Sequence, residues 1–148
     1  MTTLILNPTV TSQWYSLIIE AEAQINVNLN TDTESYLVFL LMRSSESTGW
    51  LDSSIGMDLM QAMQHSGQLQ KTMLIDIGDK GLLVSGFFPE LARKRRVDLN
   101  YFTQIGQIAY ASVAGPQEAR ENQLYQELSQ EFLTLQAILK QARKVFNP

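Results

Sequence analysis

Two aspartates and a lysine in the apolar segment 73–88 are the side chains best placed to do chemistry. Asp76 and Asp79 are three residues apart, and Lys80 follows Asp76 by four. On a helix, the second spacing suits an ion pair between Asp76 and Lys80 that contributes about a few tenths of a kcal/mol if it is exposed. A buried aspartate pair could instead act as acid and base. Because no other carboxylate has a spacing that brings it nearby, we favour the structural interpretation.

The same segment carries a stripe of small residues. Gly78, Gly81 and Ser85 fall together on one side of a helical wheel. Each interior helical glycine costs roughly 1 kcal/mol relative to alanine, so the pair of glycines indicates that something approaches this backbone closely. We favour a neighbouring helix, which small residues allow to pack nearer than the usual distance of about 8–10 Å. The alternative is a ligand pocket lined by the stripe together with Asp76 and Asp79.

Four consecutive basic residues, Arg93, Lys94, Arg95 and Arg96, form the densest run of charge in the chain. We favour a solvated turn whose cations neutralise an acidic protein and the C-terminal end of the preceding helix. The run could instead bind an acidic protein, a second copy of the chain, or nucleic-acid phosphates. The first 92 residues carry three basic and ten acidic side chains, and the net charge is −4. Nucleic acid is therefore the less favoured partner.

A methionine stripe precedes the apolar segment. Met57, Met60 and Met63 recur at three-residue steps, so a helix presents them on neighbouring positions. Core packing is the default interpretation, because methionine fills irregular gaps between helices. The alternative is a pliable partner-binding surface, which would suit the polar, loop-like tract at 44–49.

Most familiar catalytic and cofactor chemistry lacks the residues it requires. The chain has no cysteine, which excludes disulfides and thiolate metal sites. His65 is the single histidine and stands at an expected helix break, where we expect it to face solvent. A haem or di-iron site needs more histidines, and a serine nucleophile would lack its usual base. We therefore predict no catalytic residue, no metal and no cofactor, and we favour a non-enzymatic protein over an enzyme.

The elements that carry these residues all have helical periodicity, and no alternating strand pattern of useful length occurs. Thr31 and Glu34 have the spacing of a capping box, and Asp98 is a suitable N-cap. Pro89 and Gly115 should each end a helix. The predicted helices span residues 11–26, 31–43, 52–64, 68–88, 98–114 and 124–146.

These helices predict an all-α fold. The helix at about 68–88, which contains the glycines, should be central, because it is too apolar for a surface position and too interrupted by charge to span a membrane. The last helix should be the longest, since apolar residues step by three and four from Leu124 to Phe146. We predict a single domain covering residues 1–148, a bundle of five to six helices around the central one.

Composition agrees with such a domain. The chain has 148 residues, of which 45% are hydrophobic and 18% are charged, and this is globular rather than disordered composition. Its first residues lack the basic region of a signal peptide. Together with the absence of cysteine, this favours a cytoplasmic protein and no association with a membrane.

Five short segments, residues 34–43, 78–89 and 95–102 with Ile105-Gly106 and Ala109-Tyr110, are spread over about half of the 148 residues. They resemble a family of small helical proteobacterial proteins that has no assigned activity. The resemblance implies a bacterial, cytoplasmic, helical protein. It transfers no catalytic residue.

The function that we predict is a helical protein–protein interaction or adaptor module that forms a homo-oligomer or binds another protein. Six amphipathic segments in a small chain leave apolar stripes that one bundle need not cover. The methionine stripe and the face from Leu124 to Phe146 are the expected contact surfaces. The alternatives are a ligand-binding or enzymatic bundle at Gly78, Gly81 and Ser85, and a nucleic-acid-associated regulator that uses the basic run.

Overall fold

The computed structural model describes residues 9–115 and 120–146, and the regular structure within those ranges is entirely helical. A single 3-10 turn, Gly49–Leu51, precedes the third α-helix. The α-helices of the described ranges are α1 (Val10–Gln24), α2 (Thr31–Glu46), α3 (Ile55–Met63), α4 (Gly67–Gly86), α5 (Pro89–Lys94), α6 (Leu99–Ala114), α7 (Arg120–Gln130) and α8 (Phe132–Phe146).

Side-chain caps fix where α1, α2, α3 and α6 begin. The N-cap of α6 is Asp98, as predicted, and its carboxylate accepts a hydrogen bond from the Asn100 amide at 2.9 Å. The predicted capping box of α2 is wrong by one residue. Asn30 is the N-cap, and its side-chain oxygen accepts from the Thr33 amide at 2.9 Å. Glu34 therefore lies one position too far into the helix to close the box.

The described chain contains eight α-helices rather than five or six, for two reasons. Pro89 does end the central helix, but it is also the first residue of α5 in the segment predicted as a turn. The long helix predicted at the C-terminal end is divided at Glu131 into α7 and α8. Backbone hydrogen bonds still reach Glu131 from both sides, and neither glycine nor proline marks this division.

Helix α4 is central, as predicted. Every residue from Ile77 to Gly86 is buried, and α2, α3, α5, α6 and α8 all pack against this helix. Its closest neighbour is α6. A Cβ atom at Gly81 would lie 2.7 Å from the Cα atom of Gly106, so the two backbones touch at this crossing. The glycines of α4 thus allow a closer helix contact than larger residues would permit.

The apolar stripe of the last two helices belongs to the core rather than to a free surface. Its side chains are buried except at the two ends, where Leu124 is partly exposed and Phe146 is exposed. Each buried leucine or phenylalanine contributes about 1.5–3 kcal/mol. The buried members are Leu128, Phe132, Leu135, Leu139 and Ala142. This face was expected to contact a partner, but α1 and α4 already cover α8. Within the described ranges, no helix combines the length and apolarity needed to cross a membrane.

Candidate functional site

The charged residues of α4 meet partners from three other helices. Asp79 accepts hydrogen bonds at its Oδ1 atom from the hydroxyls of Tyr36 on α2 and Tyr110 on α6, each at 2.6 Å. Arg43 of α2 donates to Asp76 Oδ1 at 3.0 Å and lies 3.5 Å from Asp79 Oδ2. This Asp79 cluster therefore links α2, α4 and α6 through a buried carboxylate.

Burial changes the proton affinity of the Asp79 cluster. It raises the pKa of Asp79 to about 6, against the opposing effect of the two tyrosine hydrogen bonds and the charge of Arg43. The pKa values of Tyr36 and Tyr110 are also raised, first by burial and then by the nearby Asp79 charge. Both tyrosines therefore remain hydrogen-bond donors at any physiological pH, while Asp79 can change its protonation state slightly below neutrality.

Lys80 lies beside this cluster but has its own partners. Its side chain is only 3% exposed, and Nζ donates to the backbone oxygen of Ser53 at 3.1 Å, to the Ser53 hydroxyl and to Asp58 Oδ2. The ion pair predicted between Asp76 and Lys80 is thus replaced by two pairs between helices. Asp76 contacts Arg43, and Lys80 contacts Asp58.

A pocket of about 260 Å³ opens between the 3-10 turn, α3 and α4. Its charged lining residues are Lys80, Asp58 and Asp76, and Trp50 forms an aromatic wall. The Arg43 guanidinium stacks on the Trp50 ring, 3.8 Å from the ring centre. The remaining lining residues are Ser53, Gln61, Met73 and Ile77. The mixture of both charge signs with an indole ring could hold a small polar molecule.

The glycine stripe does not line this pocket. A Cβ atom at Gly78 would overlap the ring of Tyr110, and one at Gly81 would overlap the backbone of α6. Ser85 is buried, and its hydroxyl donates to the Gly81 carbonyl oxygen at 2.6 Å. The space beside Gly78 and Gly81 is therefore filled by α6, and the alternative interpretation, a ligand pocket lined by the stripe, has no room there. The favoured interpretation, close packing of a neighbouring helix against the stripe, is confirmed, and that helix is α6.

The methionine stripe is exposed rather than packed in the core. Met57, Met60 and Met63 are 56%, 60% and 54% exposed, so the default interpretation of core packing is wrong. Leu69, at the start of α4, is also exposed. The three methionines are called the methionine face below.

The basic run lies at the end of α5 and in the turn that follows. The side chains of Arg93, Lys94, Arg95 and Arg96 are all exposed, which agrees with a solvated turn and also leaves them accessible to a partner. Arg96 has a positive φ of 58°. His65 is exposed in the turn between α3 and α4, as expected.

Sequence analysis did not identify five residues of the Asp79 cluster and of the pocket beside Lys80: Tyr36, Arg43, Trp50, Asp58 and Tyr110. Among the described residues, no group of three or more histidine and acidic side chains is arranged to hold a metal ion. Comparisons with protein-family models, with curated proteins and with solved structures gave no match.

Proposed function

We propose that this protein is a helical interaction module that binds a second copy of itself through the methionine face. The exposure of three methionines, spaced three residues apart on one short helix, carries the proposal. Exposed apolar clusters of this kind commonly mark contact surfaces in proteins that otherwise bury such residues. Methionine suits a contact surface because its flexible thioether adapts to the partner.

Charge favours a second copy as the occupant. The exposed residues of α3 are the three methionines and Gln61, and none of them is charged. Asp58, the one acidic residue of α3, is turned toward Lys80. Two copies that each carry a net charge of −4 repel one another, but their α3 faces can meet without placing like charges in contact. A symmetric dimer needs such a self-complementary face.

The proposal is tested by measuring mass in solution. Size-exclusion chromatography with light scattering, from about 10 to 500 μM, should give a dimer for the native chain and a monomer for Met60→Glu. Leu133→Glu is the matched control, because Leu133 is 61% exposed on α8, away from the methionine face. The control should remain dimeric. A native monomer at the highest concentration, or an unchanged mass for Met60→Glu, contradicts the proposal.

The pocket beside Lys80 supports a second candidate, a module that binds a small polar molecule. The observation in its favour is the convergence of a buried lysine, two aspartates and Trp50 around one cavity. Ligand-observed NMR with a library of small polar compounds should find binders that Gln61→Trp excludes, because the larger side chain fills the pocket. Compounds that bind the native chain and the Gln61→Trp variant equally well would show that they bind outside this pocket.

The basic run supports a third candidate, contact with an acidic protein or a nucleic acid. Its four exposed cations are the observation in favour. Replacing all four by alanine should weaken binding of a polyanion such as single-stranded DNA and reduce its salt dependence. Unchanged affinity, or no binding by the native chain, rejects this candidate.

A further inference from the structure

The fold brings a second group of cations next to the basic run. This group lies near the C-terminal end of α8 and consists of Lys140, Arg143 and Lys144. Lys140 and Lys144 are exposed and lie one turn apart on the same side of α8, whereas Arg143 is partly buried. Because the two groups belong to different helices, their spacing in the sequence does not indicate that they meet. The contacts of α8 with α5 and α6 decide this.

The first of these contacts is an ion pair at the start of α5. Arg143 donates to the Glu90 carboxylate at 3.1 Å and also to the Phe87 carbonyl oxygen. Arg93 and Lys94 follow Glu90 by three and four residues, so all three lie on one side of α5. A helix rises about 5 Å over this distance. The Arg143 guanidinium and the first half of the basic run therefore border the same surface.

The second contact shows that α6 and α8 run antiparallel. Gly106 packs against the Phe132 ring, and one turn away the side chain of Gln136 donates to Thr103 Oγ1 at 2.7 Å. Another turn in the same direction brings Lys140 level with the first turn of α6. Because α6 begins shortly after the basic run, the α8 cations and the second half of the run lie at the same end of the bundle.

This end of the bundle carries a large surplus of positive charge. Residues 89–98 and 132–146 contain seven of the eleven basic side chains and two of the fifteen acidic ones, so their net charge is +5 against −9 for the rest of the chain. Helices α5 and α8 end here, and each C-terminus offers cations about half a negative elementary charge. The helix ends therefore neutralise about one charge and leave a surplus of about four. Such a surplus attracts a polyanion although the whole protein is acidic.

An aromatic cluster adjoins these cations at Arg143. Phe146, the last residue of α8, is 59% exposed and stacks on the Trp14 ring, with 5.6 Å between the ring centres and 23° between their planes. The Arg143 guanidinium lies over the Phe87 and Phe88 rings, 5.4 and 5.7 Å from their centres. Because Trp14 supports one face of Phe146, the exposed part of that ring offers a flat surface on which a planar group can stack.

We propose that the surface formed by the basic run, Lys140, Lys144 and Phe146 binds single-stranded nucleic acid. The proposal rests on the third candidate function, which it extends to α8 and narrows to one class of polyanion. Cations along a backbone and an aromatic ring on which a base stacks are the two features of sequence-independent single-strand binding. An acidic protein or an anionic membrane would contact the same cations, but neither regularly supplies a planar group beside each charge. A duplex keeps its bases stacked inside.

Fluorescence anisotropy of the full chain with a labelled oligothymidine of about 20 nucleotides tests the proposal. At about 50 mM salt we expect saturable binding. The logarithm of the affinity should fall with the logarithm of the salt concentration at a slope of about −4, as for about six phosphate contacts on a single strand. A duplex of the same length, poly-glutamate and phosphatidylserine vesicles are the probes for the other partners, and each should bind more weakly than the single strand.

Two variants separate the α8 cations from the aromatic ring. Lys140→Ala/Lys144→Ala should lower the affinity at least fivefold and reduce the slope to about −3. Its control, Lys71→Glu, changes the net charge by the same two units near the start of α4, about 20 Å along that helix from its other end, and should bind within twofold of the native chain. Phe146→Leu should lower the affinity about tenfold with an unchanged slope, because it removes stacking and no charge, and Phe146→Trp should restore binding.

The outcomes distinguish this inference from the candidate on which it rests. If replacing the basic run weakens binding but either Lys140→Ala/Lys144→Ala or Phe146→Leu binds like the native chain, the candidate stands and the inference is wrong. Tighter binding of the duplex, poly-glutamate or the vesicles also overturns the inference. No saturable binding of the strand by the native chain at about 100 μM rejects both. Lys140 and Lys144 are exposed, so their replacement tests the surface without disturbing the core.

Discussion

Replacing Gly81 by alanine tests whether α4 and α6 touch as closely as the structure indicates. A Cβ atom there would lie 2.6 Å from the Phe102 carbonyl oxygen and 2.7 Å from the Gly106 Cα atom. Both obstacles are backbone atoms, which no rotamer change can move aside. Relief to an ordinary contact of 3.4 Å therefore requires the two helices to separate by about 0.7 Å.

The expected loss of stability follows from that separation. A gap of about 0.5–1 Å removes a quarter to a half of the dispersion attraction between the surfaces it parts. Overpacking of this kind costs about 1–3 kcal/mol, and here it acts on the main contact of the central helix. Alanine recovers roughly 1 kcal/mol of helix propensity. We expect a net decrease of about 1 kcal/mol in the free energy of unfolding, or roughly 2–4 °C in melting temperature.

Gly56→Ala is the matched control. It is also helical and gains the same propensity, but its Cβ atom would meet the hydroxyl end of Tyr101, an exposed side chain that can rotate away. Urea unfolding should show this variant to be as stable as the native chain or more stable by up to about 1 kcal/mol. If Gly81→Ala is as stable as Gly56→Ala, the close crossing of α4 and α6 is wrong.

Three further predictions concern charges and one backbone conformation. Folding raises the pKa of Asp79 from 3.8 to about 6, so protonation of Asp79 stabilises the folded state. This contribution is about 3 kcal/mol at most. It is fully present below pH 3.8 and is lost as the pH rises through 6. Asp79→Asn keeps an acceptor for both tyrosines, and its melting temperature should fall less than that of the native chain between pH 4 and 7. Lys80→Met should lower the free energy of unfolding by up to about 3 kcal/mol, because it removes the cation beside Asp58 and leaves that carboxylate the Ser53 hydroxyl as its donor. The double variant with Asp58→Leu should recover part of that loss in urea titrations. Arg96→Gly should raise the unfolding free energy by about 0.5–1 kcal/mol, since glycine adopts the positive φ at this helix end without strain; an unchanged urea midpoint would show that arginine is not strained there.

The helical architecture was predictable because its signals are local. The central helix (predicted at 68–88 and observed at Gly67–Gly86), the N-cap at Asp98 and the end at Gly115 depend on residues within a turn or two of each other. The division at Glu131 was not predictable, since the apolar stripe continues through it and no helix-breaking residue is present. The one-residue error at Asn30 arose because asparagine and threonine are both good N-caps.

The site was predictable only in part, because its decisive partners come from distant parts of the chain. Asp79 is recognisable as an unusual charge in an apolar helix, but Tyr36 precedes it by 43 residues and Tyr110 follows it by 31. Periodicity assigns those tyrosines to helix faces and does not say which helices meet. The same limit explains why Lys80 was paired with Asp76 on its own helix and not with Asp58 on α3.

These pairings explain how α4 can occupy the centre of the bundle although its apolar part from residue 73 onward carries three charged residues. Charged side chains on a central helix can lie on a solvent-exposed strip or in a buried network of ion pairs and hydrogen bonds. The structure divides the charges, so that Asp79 and Lys80 are buried with partners while Asp76 remains half exposed at the pocket. A buried pair adds little net stability, but a wrong helix alignment would leave a buried charge unpaired at a cost of about 3–5 kcal/mol. The charges of α4 thus select one alignment of α2, α3 and α6, and that alignment leaves the methionine face of α3 in solvent.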